Sequence, residues 1–186
     1  MATSKNNVVT FGLSGKVGDL LVFRQLDGQT IVSKSPVQSG KVSPKQKAQR
    51  ERFQEAIIYA KDAIANPEFA ELYAAAAKKG KRPYNIAVAD FLNAPDISEI
   101  DLSAYHGAIG DTIRIKASDD FAVKEVTVVI VDDSGETLEE GAAEHKIGNQ
   151  WIYTAMNEIN DLANKRIVVS ASDIPGNITR EEKTIG

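Results

Sequence analysis

The chain has no cysteine, which excludes disulfides, thiol nucleophiles and zinc sites built on thiolates. It has only two histidines, His106 and His145, too few for a histidine metal cage, and neither lies in a His-Glu-x-x-His run. No window approaches the ~20 apolar residues of a membrane-spanning helix. The start is polar, and the first apolar stretch, Val8-Val9-Thr10-Phe11, is shorter than the roughly 7–15 residues of a secretory leader's core. The expectation is a chain with no export signal, made in the cytoplasm and retained there or carried in a virion. No Gly-x-Ser-x-Gly elbow offers a serine nucleophile. Gly12-Leu13-Ser14-Gly15-Lys16-Val17 glances at a phosphate loop, but Thr10 stands where the first glycine belongs and Val17 where the magnesium-binding hydroxyl belongs. The expectation is no enzyme and no cofactor.

What is present describes an ordinary globular chain: 186 residues, 42% hydrophobic and 26% charged, with a net charge of −4. The charge is unevenly placed. Residues 1–50 carry eight cations against two anions, 51–95 carry six of each, and 96–186 carry eight cations against eighteen anions. Opposite poles of this kind either face each other, within one molecule or between neighbours, or mark a basic arm for an anionic partner.

Residues 8–36 read as β structure. Leu20–Gln25 and Gln29–Lys34 flank Leu26-Asp27-Gly28, and Asp-Gly suits a tight hairpin because glycine accepts positive φ without steric cost. A lone hairpin is marginal in water, so this one must pack on helices or on another chain. Residues 43–93 read as three helices. Ser43-Pro44-Lys45-Gln46 is a capping-box start, and Phe53, Ala56, Ile57, Ala60 and Ile64 follow one face. Asn66-Pro67 begins a second helix, with Gly80 as its cap, and Pro83 a third carrying Tyr84, Ala87, Val88, Phe91 and Leu92. Near Pro95 the periodicity changes from helical to alternating. Ile113/Ile115/Ala117, the β-branched run Val126–Val131, Trp151/Tyr153/Ala155, Arg166–Ala171 and Ile178–Lys183 are the clearest of about seven strands expected from Ile100 on, separated by turn signals. The expected fold is α+β in two parts: a basic hairpin with a small three-helix unit over 1–95, and an acidic, all-β sandwich over 96–186.

The stretches Ile115-Lys116-Ala117-Ser118-Asp119-Asp120-Phe121, Val123–Val128 and Val168–Thr179 resemble bacterial immunoglobulin-like domains, the last matching an Ala-x-Asp-x-x-Gly-Asn turn before a closing strand. The resemblance implies a sandwich and says little of function, since such modules serve adhesion, spacing, sugar binding and virion decoration. The N-terminal pattern Gly15–Phe23, Gly28–Pro36, Ser43–Gln46 and Gln49–Phe53 is similar to an uncharacterised family found in Bacteroidota and their phages and prophages, with no chemistry to carry over.

Each remaining candidate has a plainer competitor. Asp119, Asp120, Asp132, Asp133 and Asp173 cluster at turns, and loops converging at one end of a sandwich could supply oxygens to Ca²⁺, but aspartate also favours turns for backbone reasons alone. Lys78-Lys79-Gly80-Lys81-Arg82 before Tyr84 could touch nucleic acid, but the lysines also suit a helix C-terminus, so nucleic acid is disfavoured. Trp151 and Tyr153 would stack on carbohydrate if exposed, but alternation places them in a core. If Val128 and Ile130 point inward, Val129 and Val131 point outward toward another surface. The favoured expectation is a non-catalytic structural protein, part of a larger assembly such as a phage virion. It would dock through Lys16, Leu21, Phe23, Arg24, Ile31 and Lys34 of the hairpin, with Val129 and Val131 as a second contact. The alternative is a ligand-binding or adhesion module, for carbohydrate or Ca²⁺-dependent, at the sandwich loops.

Overall fold

The computed structural model describes residues 2–4, 8–26, 28–36, 40, 42–77 and 81–185. It divides into two compact units, Met1–Gln46 and Lys47–Gly186. In the first, strands β1 (Ala2–Ser4), β2 (Gly15–Val17), β3 (Leu21–Leu26) and β4 (Gln29–Lys34) form an antiparallel sheet in the order β1-β4-β3-β2. The β3–β4 hairpin forms where expected, with Leu26 opposite Gln29 and Gly28 at φ +74°; its Asp27 lies outside the described residues. Among the described residues of this unit only Thr30 is buried. Hydrogen bonds do the local tying: Gln25 donates to the Leu13 carbonyl (2.7 Å) and to the Thr30 hydroxyl (2.8 Å), which donates to the Thr10 carbonyl (3.0 Å).

Helix α1 (Pro44–Ala65) begins with the anticipated capping box: Ser43 Oγ accepts from the Gln46 amide and Gln46 Oε1 accepts from the Ser43 amide. Its buried stripe is narrower than the spacing suggested, consisting of Ala56, Ala60 and Ala63, while Phe53 is exposed. Asn66 accepts from the Glu68 amide and caps α2 (Pro67–Ala76), and α3 (Pro83–Leu92) follows. Lys78, Lys79 and the proposed cap Gly80 lie outside the described residues.

From Asp96 onward the chain is all strand and turn. One antiparallel sheet has the order β5-β6-β10-β9, comprising β5 (Asp96–Asp101), β6 (Thr112–Ser118), β9 (Glu144–His145) and β10 (Gln150–Thr154). The other has the order β12-β11-β7-β8, comprising β7 (Val123–Val131), β8 (Thr137–Ala142), β11 (Arg166–Asp173) and β12 (Ile178–Thr184). Strict alternation turns Ile113, Ile115 and Ala117 of the first and Val126, Val128, Ile130, Ile167, Val169 and Ala171 of the second into one apolar core, with Trp151 and Tyr153 inside it.

The helices belong to the same compact unit as these strands, whereas the sequence had placed them with the hairpin in a 1–95 domain. Tyr73 of α2 stacks on Phe121 of the β6–β7 turn, with ring centroids 4.5 Å apart, and Phe121 packs on the Ala60, Ala63, Tyr73 and Ala87 cluster. Thr179 Oγ1 donates to the Pro95 carbonyl (2.5 Å), and the Asn177 side-chain amide faces the carbonyls of Asp90, Phe91 and Asn93 at 3.1–3.3 Å. Pro95 therefore marks a change of secondary structure inside one packed unit. Among the described residues no helix is long and apolar enough to cross a membrane.

Candidate functional site

Three carboxylates meet where the helices adjoin the strands: Asp90 from the last turn of α3, Asp119 from the β6–β7 turn and Asp173 from the end of β11. One oxygen from each lies within 4.8 Å of the other two. Each turn residue is held by the local job that aspartate does well. Asp119 Oδ2 accepts from the Phe121 and Ala122 amides (3.1 Å each). Asp173 Oδ1 accepts from the Gly176 (2.8 Å) and Asn177 (2.6 Å) amides, and its Oδ2 accepts from Asn177 Nδ2 (2.7 Å). Gly176 makes that turn possible with φ +96°, a conformation costly to any residue with a Cβ.

Asp90 has no such turn to make. It is 1% exposed and receives the Tyr73 hydroxyl on Oδ2 at 2.5 Å. Since Tyr73 donates there, the 2.8 Å contact between the Tyr59 and Tyr73 oxygens has Tyr59 as donor, giving a chain from half-buried Tyr59 through Tyr73 to Asp90. Burial pushes the Asp90 carboxyl up to about 7; the Tyr73 bond opposes this, and the Asp119 and Asp173 charges add to it. Burial likewise raises the Tyr73 and Tyr59 phenols. Asp90 Oδ1 and Asp119 Oδ1 are buried and have no hydrogen-bond partner. All donors in the cluster are oxygens, a set that suits a proton or a hard cation and supplies no activated nucleophile.

A second polar group sits in the strand core. Glu139 Oε1 accepts from the Tyr153 hydroxyl and the Met156 amide, both at 2.6 Å, while Glu139 Oε2 and the Tyr105 hydroxyl have no partner. Burial, with the Glu139 and Asp111 charges, pushes the Tyr105 phenol up to about 12.

The structure thus gathers two of the five aspartates singled out from sequence, Asp119 and Asp173, and adds Asp90. Asp120 is separate, accepting from Asn93 Nδ2 at 2.5 Å. Asp132 and Asp133 lie beyond the opposite end of the nine-residue β7, about 25 Å away along the strand. There Asp132 Oδ1 accepts from the Ser134 amide and hydroxyl and the Glu136 amide, so it builds its own turn. Asp90 was missed because its helix was read for its apolar face. The available signal was a single charge in Pro83–Leu92, three residues after buried Ala87.

Of the hairpin residues, Lys16 forms an ion pair with Asp19 (2.6 Å), Arg24 and Lys34 are exposed, Leu21 is exposed at the strand start, and Phe23 and Ile31 are half-buried. Val129 lies half-buried on the outer face, but Val131 is buried. The register shift against β8 falls between Ile130 and Val131, with Leu138 of β8 as the extra residue; Val131 itself stays in regular register with β11 and lies outside the apolar core cluster, so its burial is on the outer side of the strand. Trp151 and Tyr153 are buried, so neither presents a ring face to a sugar. His145 packs against Trp151 and contacts the Gly148 carbonyl, and His106 is exposed near Asp111.

No family model matches the chain, and no curated protein matches it. Among solved structures it is similar to a conjugative transposon lipoprotein from Bacteroides eggerthii, at 13% identity over 48% of this chain and 92% of that one, with a TM-score of 0.26. A likeness that weak carries no argument about function.

Proposed function

We propose that the chain is a non-catalytic structural protein, a self-associating subunit of a larger assembly such as a phage virion, with an immunoglobulin-like sandwich as the displayed part. The observation that carries this reading is the N-terminal sheet. It buries only Thr30 among its described residues, yet Val8, Phe11 and Leu20 are 92%, 76% and 78% exposed. A four-stranded sheet without an apolar core gains stability when another surface covers it, and these three exposed apolar side chains lie in the turns beside the strands, where such a cover would reach them. The charge pattern selects the cover. Residues 1–50 carry an excess of six cations and residues 96–186 an excess of ten anions. The N-terminal unit of one copy would therefore seat on the acidic strands of the next, a head-to-tail contact that extends into a ring or filament. Arg24 and Lys34 would supply the charged rim.

The test is light scattering coupled to sizing, over a concentration series up to about 0.1 mM. The mass should rise with concentration and fall back as salt is raised to about 1 M, where screening shortens to roughly 3 Å. A Phe11→Asp/Leu20→Asp variant should remain a monomer with an unchanged melt of residues 47–186. A wild-type chain that stays monomeric throughout the series in low salt refutes the proposal. Capsid or tail genes beside this one would support the virion setting.

A further inference from the structure

We infer that Asp90, Asp119 and Asp173 form a divalent-cation site of the calcium class, buried between the end of α3 and the β6–β7 and β11–β12 turns. Acidic side chains often cluster without an ion; here the use of each oxygen is informative. The fold occupies one oxygen of Asp90 through Tyr73 and one of Asp119 through two backbone amides, and it occupies both oxygens of Asp173. Asp90 Oδ1 and Asp119 Oδ1 are left buried with no donor, on carboxyl groups that lie within hydrogen-bonding reach of each other. Asp90 itself is 99% removed from solvent, since its exposure is 1%. A buried acceptor without a donor costs about 1–3 kcal/mol, more when charged, so two on neighbouring carboxyl groups call for something positive beside them.

The charge balance favours a dication. Among the described residues no Lys, Arg or His forms an ion pair with any of the three aspartates. The neighbouring end of α3 adds negative potential, because its carbonyls at Asp90, Phe91 and Asn93 converge on the single Asn177 amide. A single proton bridging Asp90 and Asp119 would pair the two orphan oxygens but leave the other carboxylate charges uncompensated. The donor set has no nitrogen or sulfur, and its three carboxylates come from unrelated backbone directions. That irregularity suits Ca²⁺, which takes 6–8 oxygens in flexible geometry, better than octahedral Mg²⁺. Entry is available on one side: Asp119 is partly exposed and borders a cleft lined by Asn93, Ala94, Asp96, Ser118 and Asp120, two of which are further carboxylates.

The experiment uses the full chain, stripped with a chelator and then titrated with Ca²⁺ alone and, separately, with Mg²⁺. Binding is read by calorimetry and stability by thermal melting. One Ca²⁺ per chain should bind, the melting temperature should climb with Ca²⁺ up to about 1 mM, and Mg²⁺ should act more weakly. Asp90→Asn and Asp119→Asn should each weaken Ca²⁺ affinity by tenfold or more. Asp119→Asn, at the more open position, keeps the test alive if Asp90→Asn does not fold. Absence of bound metal and of any shift in melting with either ion overturns the inference and leaves a proton shared by Asp90 and Asp119. An undiminished Ca²⁺ response in Asp119→Asn also overturns it, because the ion then sits elsewhere. Neither outcome bears on self-association through the N-terminal sheet, which the scattering measurement reads separately.

Discussion

Replacing Tyr73 by Phe removes one oxygen and nothing else from the helix–strand junction. The ring keeps its full burial and its stack on Phe121 at 4.5 Å. Two hydrogen bonds disappear, to Asp90 at 2.5 Å and from Tyr59 at 2.8 Å, and their losses are unequal. Tyr59 is half-buried and its hydroxyl can turn to water. Asp90 is sealed, its Oδ1 already lacks a partner, and Oδ2 would then lack one too. A hydrogen bond to a charged acceptor contributes about 1.5–3 kcal/mol, and an unsatisfied buried acceptor costs a similar amount, so Tyr73→Phe should destabilise residues 47–186 by about 2–3 kcal/mol. For a unit of this size that lowers Tm by roughly 5–10 °C. Tyr59→Phe, which leaves the Tyr73–Asp90 bond in place, should cost under about 1 kcal/mol. The assay is urea unfolding of the full chain in a chelator, followed by the fluorescence of the single tryptophan, Trp151, which lies in this unit. If the two variants lose equal stability, or if Tyr73→Phe stays within about 0.5 kcal/mol of wild type, the hydroxyl chain does not hold the junction together.

Two further outcomes follow from turn geometry. Gly107 and Gly110 both sit at positive φ, +89° and +88°, but an added Cβ meets open space at Gly110 and the Ile159 carbonyl oxygen at Gly107. Gly110→Ala should cost about 1–2 kcal/mol of backbone strain, and Gly107→Ala at least about 3 kcal/mol; equal unfolding midpoints would remove the proposed collision. The carboxyls of Asp132, Asp111 and Asp101 are held below the ordinary carboxylate range, chiefly by the Ser134 hydroxyl and by the His106 and Ser103 amides respectively. The folded state therefore binds fewer protons than the unfolded chain below about pH 4, so stability is present above that pH and is lost as pH falls through the lowered values. Asp90, held near 7 in the folded chain against 3.8 ordinarily, contributes with the opposite sign, and its contribution is complete once pH is below that ordinary value. A urea midpoint that stays flat from about pH 4 to pH 2 would contradict the three turn assignments.

Much of the local structure was legible because it depends on short-range chemistry. Ser43 and Gln46 form a capping box whatever surrounds them, and Gly28, at positive φ, stands in the turn between β3 and β4. The every-second-residue pattern of Ile113, Ile115 and Ala117, or of Val126, Val128 and Ile130, can bury only one face of a strand. Val131 shows the limit of that rule, since it is buried although alternation leaves it outside the apolar core, and nothing in its own strand reports that it is covered. The helix stripe was wider in the sequence than in the molecule for a related reason. Spacing gives the face of α1 that can be buried, while the partner's reach, here limited to Ala56, Ala60 and Ala63, gives how much is.

The three helices, the β3–β4 hairpin, the alternating strands and the opposite charges of the two ends were readable, because caps, turns, alternation and net charge are properties of neighbouring residues; the short strands β1 and β9 carry no such signal and were not. That α1–α3 pack with the strands beyond Pro95, and that Asp90, Asp119 and Asp173 share one buried place, depends on long-range packing. Twenty-nine positions separate the first two and fifty-four the last two, and no local periodicity reports which distant side chains the closing of a core will bring within 4.8 Å.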